Sequence, residues 1–433
     1  MNKWSRFALG ICALAASAAA IVWSLNVRDE VEVKAPFPAN ASDSKLIARG
    51  AYLARAGNCI GCHTERGGQS YAGGLGIATP FGAVFTSNLT PDAGTGLGNW
   101  SAADFWRALH NGRSKSGRLL YPAFPYTSYT QVTREDSDAM FAYLRSLPSV
   151  ARPNQPHALR FPYQSQAALA VWRALYFSPG VYQPEPDRNA EWNRGAYLVK
   201  GLGHCSACHS PRDALGGTRA GKALDLAGGL IPMQNWYAPS LASPQEAGVA
   251  DWDREDIVSL LKNGVSPRAS VTGPMAEVVL RSTQYLTPED LGAMAQYLKA
   301  LPASHSGAQP ATAPPRPARA DFNIAQAAKL YEQHCAQCHG DQGQGVANAY
   351  PPVAGNRAVT MASMENLVQI VLNGGYAPAT AGNPRPFGMP PFVLVLNDRE
   401  VAAVISYIRT SWGNQAGDIT PLQVQRIRAN QAR

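Results

Sequence analysis

Charge is scarce in this chain. Of 433 residues, 16% are Asp, Glu, Lys or Arg and 45% are apolar, which excludes a charge-driven disordered protein and leaves a globular one with room for about three domains. The balance is basic, +8. No cluster of Lys and Arg interleaved with aromatics stands out, so an acidic protein or an anionic membrane surface is the expected partner and nucleic acid is not. Also missing are a nucleotide-binding glycine fingerprint, a Ser-His-Asp arrangement and a carboxylate pair for an organic substrate. No convincing alternation marks a β-strand. Cysteine is short too: of seven, six fall into one repeated pattern and Cys12 stands alone, which excludes a disulfide framework.

What is present is C-x-x-C-H, at Cys59 to His63, Cys205 to His209 and Cys335 to His339. Two thiols at this spacing reach the two vinyl groups of one haem as thioethers, and the histidine that follows is placed to bind its iron. Zinc needs four ligands per closed site, which three separate pairs do not supply, and a redox dithiol would be expected once rather than three times. Three covalently bound haem c groups are therefore expected, on Cys59 with Cys62, Cys205 with Cys208 and Cys335 with Cys338, with His63, His209 and His339 as axial ligands. Such haem is attached outside the cytoplasm, and the N-terminus suits export: Lys3 and Arg6 precede an apolar run from Phe7 to Leu25. Residues 1–27 are thus a signal peptide or a membrane anchor. Small residues from Ala15 to Ala20 offer cleavage sites, whereas the length of the run favours the anchor. Bulky Ile11 does not suit a lipidated Cys12, which reads as a membrane-segment residue.

An internal repeat organises the remainder. Each unit has a helix ahead of its motif (Arg49 to Leu53, Arg194 to Leu198, Ala328 to Tyr331), then a middle helix ended by Asn-Gly at Gly112, Gly264 and Gly374. Each closes with a helix opened by a capping residue and an acid three positions on: Thr133 with Asp136, Thr287 with Asp290, Asn397 with Glu400. The expected division is domain one at 44–148, a helical connector at 149–189, domain two at 190–302, a Pro/Ala-rich extended linker at 303–321, domain three at 322–413 and a tail at 414–433. The linker composition predicts a loosely tethered third domain. The expected fold is all-α.

A second axial ligand is sought in each unit, commonly Met. Met389 in Phe387-Gly388-Met389-Pro390-Pro391 and Met275 in Gly273-Pro274-Met275 stand at corresponding places, on loops stiffened by proline. In unit one the place is taken by Phe124, which cannot ligate iron. Met140 aligns with Met294 and Val404 on the closing helices, a core position. His110 aligns with Lys262 and Leu372, where the lysine suggests a face reaching solvent. His204 and His334, just before their motifs, read as surface or propionate-side residues. The sixth position of haem one is left doubtful.

With these residues in place, the chain resembles the triheme cytochrome c subunits of membrane-bound bacterial alcohol dehydrogenases and gluconate 2-dehydrogenases. The resemblance is carried by Arg49-Gly50-Ala51-Tyr52-Leu53, Tyr71-Ala72-Gly73-Gly74-Leu75, Ala78-Thr79-Pro80-Phe81-Gly82, Ser87-Asn88-Leu89-Thr90-Pro91-Asp92, Leu120-Tyr121-Pro122-Ala123 and Trp192-Asn193-Arg194-Gly195-Ala196-Tyr197-Leu198. It implies three tandem class I cytochrome c domains at the periplasmic side of the cell membrane. It also implies a relay from a separate flavin-, quinone- or molybdenum-dependent catalytic subunit, acting on CH-OH or aldehyde substrates, to ubiquinone. That family's loop usually carries Met where this chain has Phe124, and related cytochromes serve molybdenum hydroxylases. The competing readings are a peroxidase-like haem enzyme using domain one, which would want a distal base that His110 is wrongly placed to supply, and a terminal-oxidase subunit, which the order of three domains does not fit.

Overall fold

A computed structural model of the chain describes residues 3–28, 30, 43–218, 225–303, 324–347 and 349–431. All but residue 303 of the expected linker lies outside them. Helix α1 (Lys3–Val27) is exposed along most of its length and, among the described residues, is the one helix long and apolar enough to cross a membrane. The first repeat contributes α2 (Ser44–Ala56), α3 (Ala102–Asn111) and α4 (Arg134–Arg145), and α5 (Gln166–Tyr176) follows as the connector helix. The second contributes α6 (Ala190–Tyr197), α7 (Arg254–Asn263), α8 (Pro274–Arg281) and α9 (Pro288–Lys299). In the third, α10 (Ile324–His334), α11 (Glu365–Asn373) and α12 (Asp398–Thr410) are backed by a terminal helix, α13 (Pro421–Gln431).

Local chemistry sets these boundaries. Gly112, Gly264 and Gly374 end the middle helices at φ of 56°, 76° and 63°, a region that favours glycine. Tyr52 lies seven residues before Cys59 whereas Tyr197 lies eight before Cys205. The extra residue is taken up by a π-helical turn, Leu198–Leu202, directly after α6.

The fold is not all-α. Strands β1 (Gly76–Thr79), β2 (Gly82–Phe85) and β3 (Ala158–Leu159) form an antiparallel sheet in that order. Two further hairpins pair β4 (Gly229–Ile231) with β5 (Trp236–Ala238) and β6 (Gly375–Tyr376) with β7 (Gly388–Met389). Strands of two to four residues are too short to show a period of two, which is why the sequence pattern missed them.

Repeats one and two are fused by an approximate two-fold relation. Gly50 of α2 lies against the Ala139 carbonyl of α4, and Gly195 of α6 against the Ala293 carbonyl of α9; a Cβ at either glycine would collide with that oxygen. Across the junction, Tyr52 donates to Asp290 (2.6 Å) and Tyr197 donates to Asp136 (2.6 Å). Arg49 pairs with Asp136 (2.5 Å) and Arg194 with Asp290 (2.7 Å). The Thr133 and Thr287 amides donate in turn to the Tyr197 and Tyr52 hydroxyls (3.3 and 3.2 Å). One continuous apolar core, from Leu53 and Phe141 through Tyr197 and Leu291, runs through both repeats.

These bonds correct one expectation. Thr133 and Thr287 do cap α4 and α9, but Asp136 and Asp290 turn to the arginine and tyrosine instead of completing capping boxes, which Asn397 with Glu400 does form. Burial pushes the Asp290 carboxyl up, and Arg194 and Tyr52 more than offset it, so its pKa lies below the usual value. A carboxylate whose folded pKa is depressed adds stability above its unfolded pKa of about 3.9 and loses it as pH falls through the lower folded value. Asp290→Asn is therefore expected to narrow the difference in unfolding midpoint between pH 7 and pH 3.

The third repeat has its own core, built from Tyr331, Val368, Phe392 and Ile405. It meets repeat two through polar groups: Asn366 exchanges two hydrogen bonds with the Tyr237 backbone (2.8 and 2.7 Å), and Arg357 reaches the Gly248 carbonyl and Asp251 (both 2.7 Å).

Candidate functional site

Each C-x-x-C-H motif folds as a single helical turn behind the preceding helix. The residue before the first cysteine, Asn58 or His204, turns the chain at positive φ (49° and 38°). The three histidines are then held identically. His63 Nδ1 lies 2.7 Å from the Ser87 carbonyl, His209 Nδ1 2.6 Å from Pro239 O and His339 Nδ1 2.9 Å from Pro351 O. Their own carbonyls accept from Gly73, Gly228 and Gly345 (2.9, 2.7 and 2.7 Å). Nδ1 donating to a carbonyl leaves Nε2 as the lone-pair nitrogen, the arrangement of a metal-binding imidazole. Burial pushes the His63 and His209 pKa values down, only partly opposed by these carbonyls, which keeps the rings neutral and able to ligate.

The carbonyls are fixed from behind, and sequence reasoning missed these supports. Buried Asn88 accepts from the Thr90 hydroxyl (2.7 Å) and donates to Val150 O (2.8 Å), pinning the Ser87 peptide. Glu246 accepts from the Ser240 amide (2.6 Å) and the Tyr237 hydroxyl (3.1 Å), which pins Pro239. Backbone acceptors carry no residue-type signature. The one available signal was Ser87-Asn88-Leu89-Thr90, a turn-rich stretch around a buried Asn.

None of the six motif cysteines is paired in a disulfide. Burial, then the neighbouring thiol, pushes Cys59 and Cys205 up to about 12 and Cys335 to about 11. Two cysteines and a histidine on each helical turn fit thioether attachment of haem, whereas a closed zinc site would need a fourth ligand brought to the same turn. Among the described residues no three His, Cys, Asp or Glu side chains converge as a metal site would need.

Met275 is not on a loop. Pro274 opens α8 and Met275 sits in its first turn, half-buried against the shared core, while Gly273 at φ 54° lies against Trp236. Met389 lies in β7, paired with Gly375, and packs on the third core with Cys335. A Cβ on Gly374 would strike the Met389 carbonyl, so this glycine both ends α11 and admits the methionine strand. Phe124 is half-buried, its ring centroid 5.4 Å from that of Tyr129, whose hydroxyl donates to Gly57 O (2.7 Å) beside the first motif.

The substitute ligands weighed for unit one both lie in the core. Met140 is core on α4. His110 is stacked on Trp106 at 4.6 Å with Nδ1 2.9 Å from Thr130 O. Lys262 does not reach for solvent: its ammonium donates to Gln284 O and Leu286 O (3.3 and 3.1 Å), doing for repeat two what His110 does for repeat one. Nor is His204 a surface residue, since its ring meets Tyr129 edge-on at 5.4 Å across the junction of the repeats.

Comparison with known proteins decides the family. The chain is 40% identical over 400 residues to the cytochrome c subunit of the quinone alcohol dehydrogenase of Gluconacetobacter polyoxogenes, covering 89% of this chain and 85% of that one. The chain belongs to the family of dehydrogenase cytochrome c subunits. The corresponding subunit of Gluconobacter oxydans (strain 621H) is 38% identical over 91% of this cytochrome and 84% of its own length. The gluconate 2-dehydrogenase cytochrome c subunit of Pantoea cypripedii is 37% identical over 90% and 91%. Covalent haem c is thus the cofactor of this cytochrome. The cytochrome c family profile matches residues 47–148 and 324–412 and leaves the middle repeat unmatched. With the three small sheets, this overturns the expectation of an all-α chain of three tandem class I cytochrome c domains.

Proposed function

We propose that this cytochrome carries three haem c groups and relays electrons from a separate catalytic dehydrogenase subunit to a membrane quinone, with its body on the periplasmic side. The observation that carries the reading is the threefold recurrence of a histidine with Nδ1 tied to a backbone carbonyl, on the same helical turn as two cysteines. Haem c, when bound, supplies reversible one-electron chemistry. The chain attaches it through Cys59 with Cys62, Cys205 with Cys208 and Cys335 with Cys338. It orients His63, His209 and His339 toward it, and offers Met275 and Met389 as thioether donors in repeats two and three. The partner is a flavin-, quinone- or molybdenum-dependent enzyme acting on CH-OH or aldehyde groups, as the alcohol and gluconate dehydrogenases named for the relatives suggest.

Intact mass of the matured protein is expected to include three haems; two or fewer would refute the count. Purified alone, the protein should oxidise neither ethanol, gluconate nor an aldehyde, and should be reduced once its co-purifying large subunit and substrate are added. Met275→Ala and Met389→Ala should each remove one sulfur-to-iron charge-transfer band and lower one potential. Unchanged spectra in both would make these methionines core residues.

A further inference from the structure

Helix α1 is joined to the folded body by contacts that a discarded leader would not need. From Arg6 to Ile21 it is exposed, and burial begins at Val22. Asn26, 8% exposed, donates to Ala170 O (2.8 Å) and accepts from Arg173 Nε (3.0 Å). Arg173 is itself 3% exposed and lies over the rings of Tyr126 and Phe177. Arg113 donates to the Asn26 carbonyl (3.0 Å), Arg28 to Phe177 O (3.2 Å), and Glu30 pairs with Arg107 (2.6 Å) and Arg113 (3.0 Å). The seam ties α1 to α5 and to repeat one together. Removing α1 would strip a buried guanidinium of its amide partner, and such groups are costly to leave unpaired. Beside the seam, Val171 and Leu175 project one turn apart from α5, both exposed.

We propose that α1 is retained as an anchor whose last turn is part of the body, and that α5 lies in the membrane surface with Val171 and Leu175 in lipid. The occupant of this apolar face is the bilayer, because α1 is long enough to span one and leaves the body at the level of Ala170, where the two side chains are bare. The proposal rests on the membrane placement given above.

It is tested on the full holoprotein in washed membranes, with a protease site placed between Lys34 and Asn40. Intact mass before protease should include Lys3–Val27. After cleavage the wild-type body should stay with the membrane. Asn26→Leu with Glu30→Gln, and separately Val171→Asp with Leu175→Asp, should each raise the released fraction at least tenfold, with haem content verifying that the body is folded. A mature chain beginning beyond Val27, or equal release from wild type and variants, overturns the inference while leaving membrane placement standing. Recovery in the soluble fraction before protease overturns both.

Discussion

Phe124→Met should raise the reduction potential of the haem on Cys59 and Cys62 and leave the others where they are. A thioether donor favours reduced iron, and axial ligation as a whole moves haem potentials over about 0.8 V, so this substitution has the largest electrochemical effect expected in the chain. Methionine is unbranched and adaptable enough to enter the half-buried place of the Phe124 ring. Phe124→Leu is the control: it alters packing against Tyr129 without adding sulfur, and should not move the potential comparably. Potentiometric titration of the three proteins decides. If every haem of the wild type already titrates as a His/Met centre, another residue ligates haem one and the role given to Phe124 is wrong.

Asp136→Ala should cost about 3 kcal/mol of stability, because it strips a charged acceptor from Arg49 and leaves the buried Tyr197 hydroxyl, which still accepts from the Thr133 amide, without an acceptor for its own proton. Adding Tyr197→Phe removes the hydroxyl whose proton has lost its acceptor, so the double variant should be less destabilised than the sum of the singles. Denaturant unfolding of the four proteins measures the coupling. Simple additivity would mean that the two groups do not act together across the junction.

The readable parts of this chain were those with local causes. Capping threonines, terminal glycines and the repeated Arg-Gly-Ala-Tyr-Leu run placed the main helices within a few residues, and the motif placed the cysteines and histidines. What escaped has its cause elsewhere in the chain. Arg49 and Tyr52 look alike in sequence, yet Arg49 bonds Asp136 of its own repeat and Tyr52 bonds Asp290 of the next. Asp136 reads as a capping acid until its competitors are in view. Met275 sits on a helix because Pro274, a loop signal in most contexts, also suits the first turn of one. The linker that led to the expectation of a loosely tethered third repeat lies, apart from residue 303, outside the described residues, whereas the described residues give that repeat its own core and hydrogen bonds to repeat two.

The two-fold junction has a further consequence for how such a molecule can vary. In a homodimer every substitution is made twice, so a loop that loses its methionine loses it on both sides of the dyad. Here the related halves are encoded in succession within one polypeptide. Phe124 can therefore stand in one while Met275 stands in the other, and Tyr52, Tyr197, Asp136 and Asp290 still hold the pair in register. Symmetry persists in the scaffold and is free to break at the reacting centres.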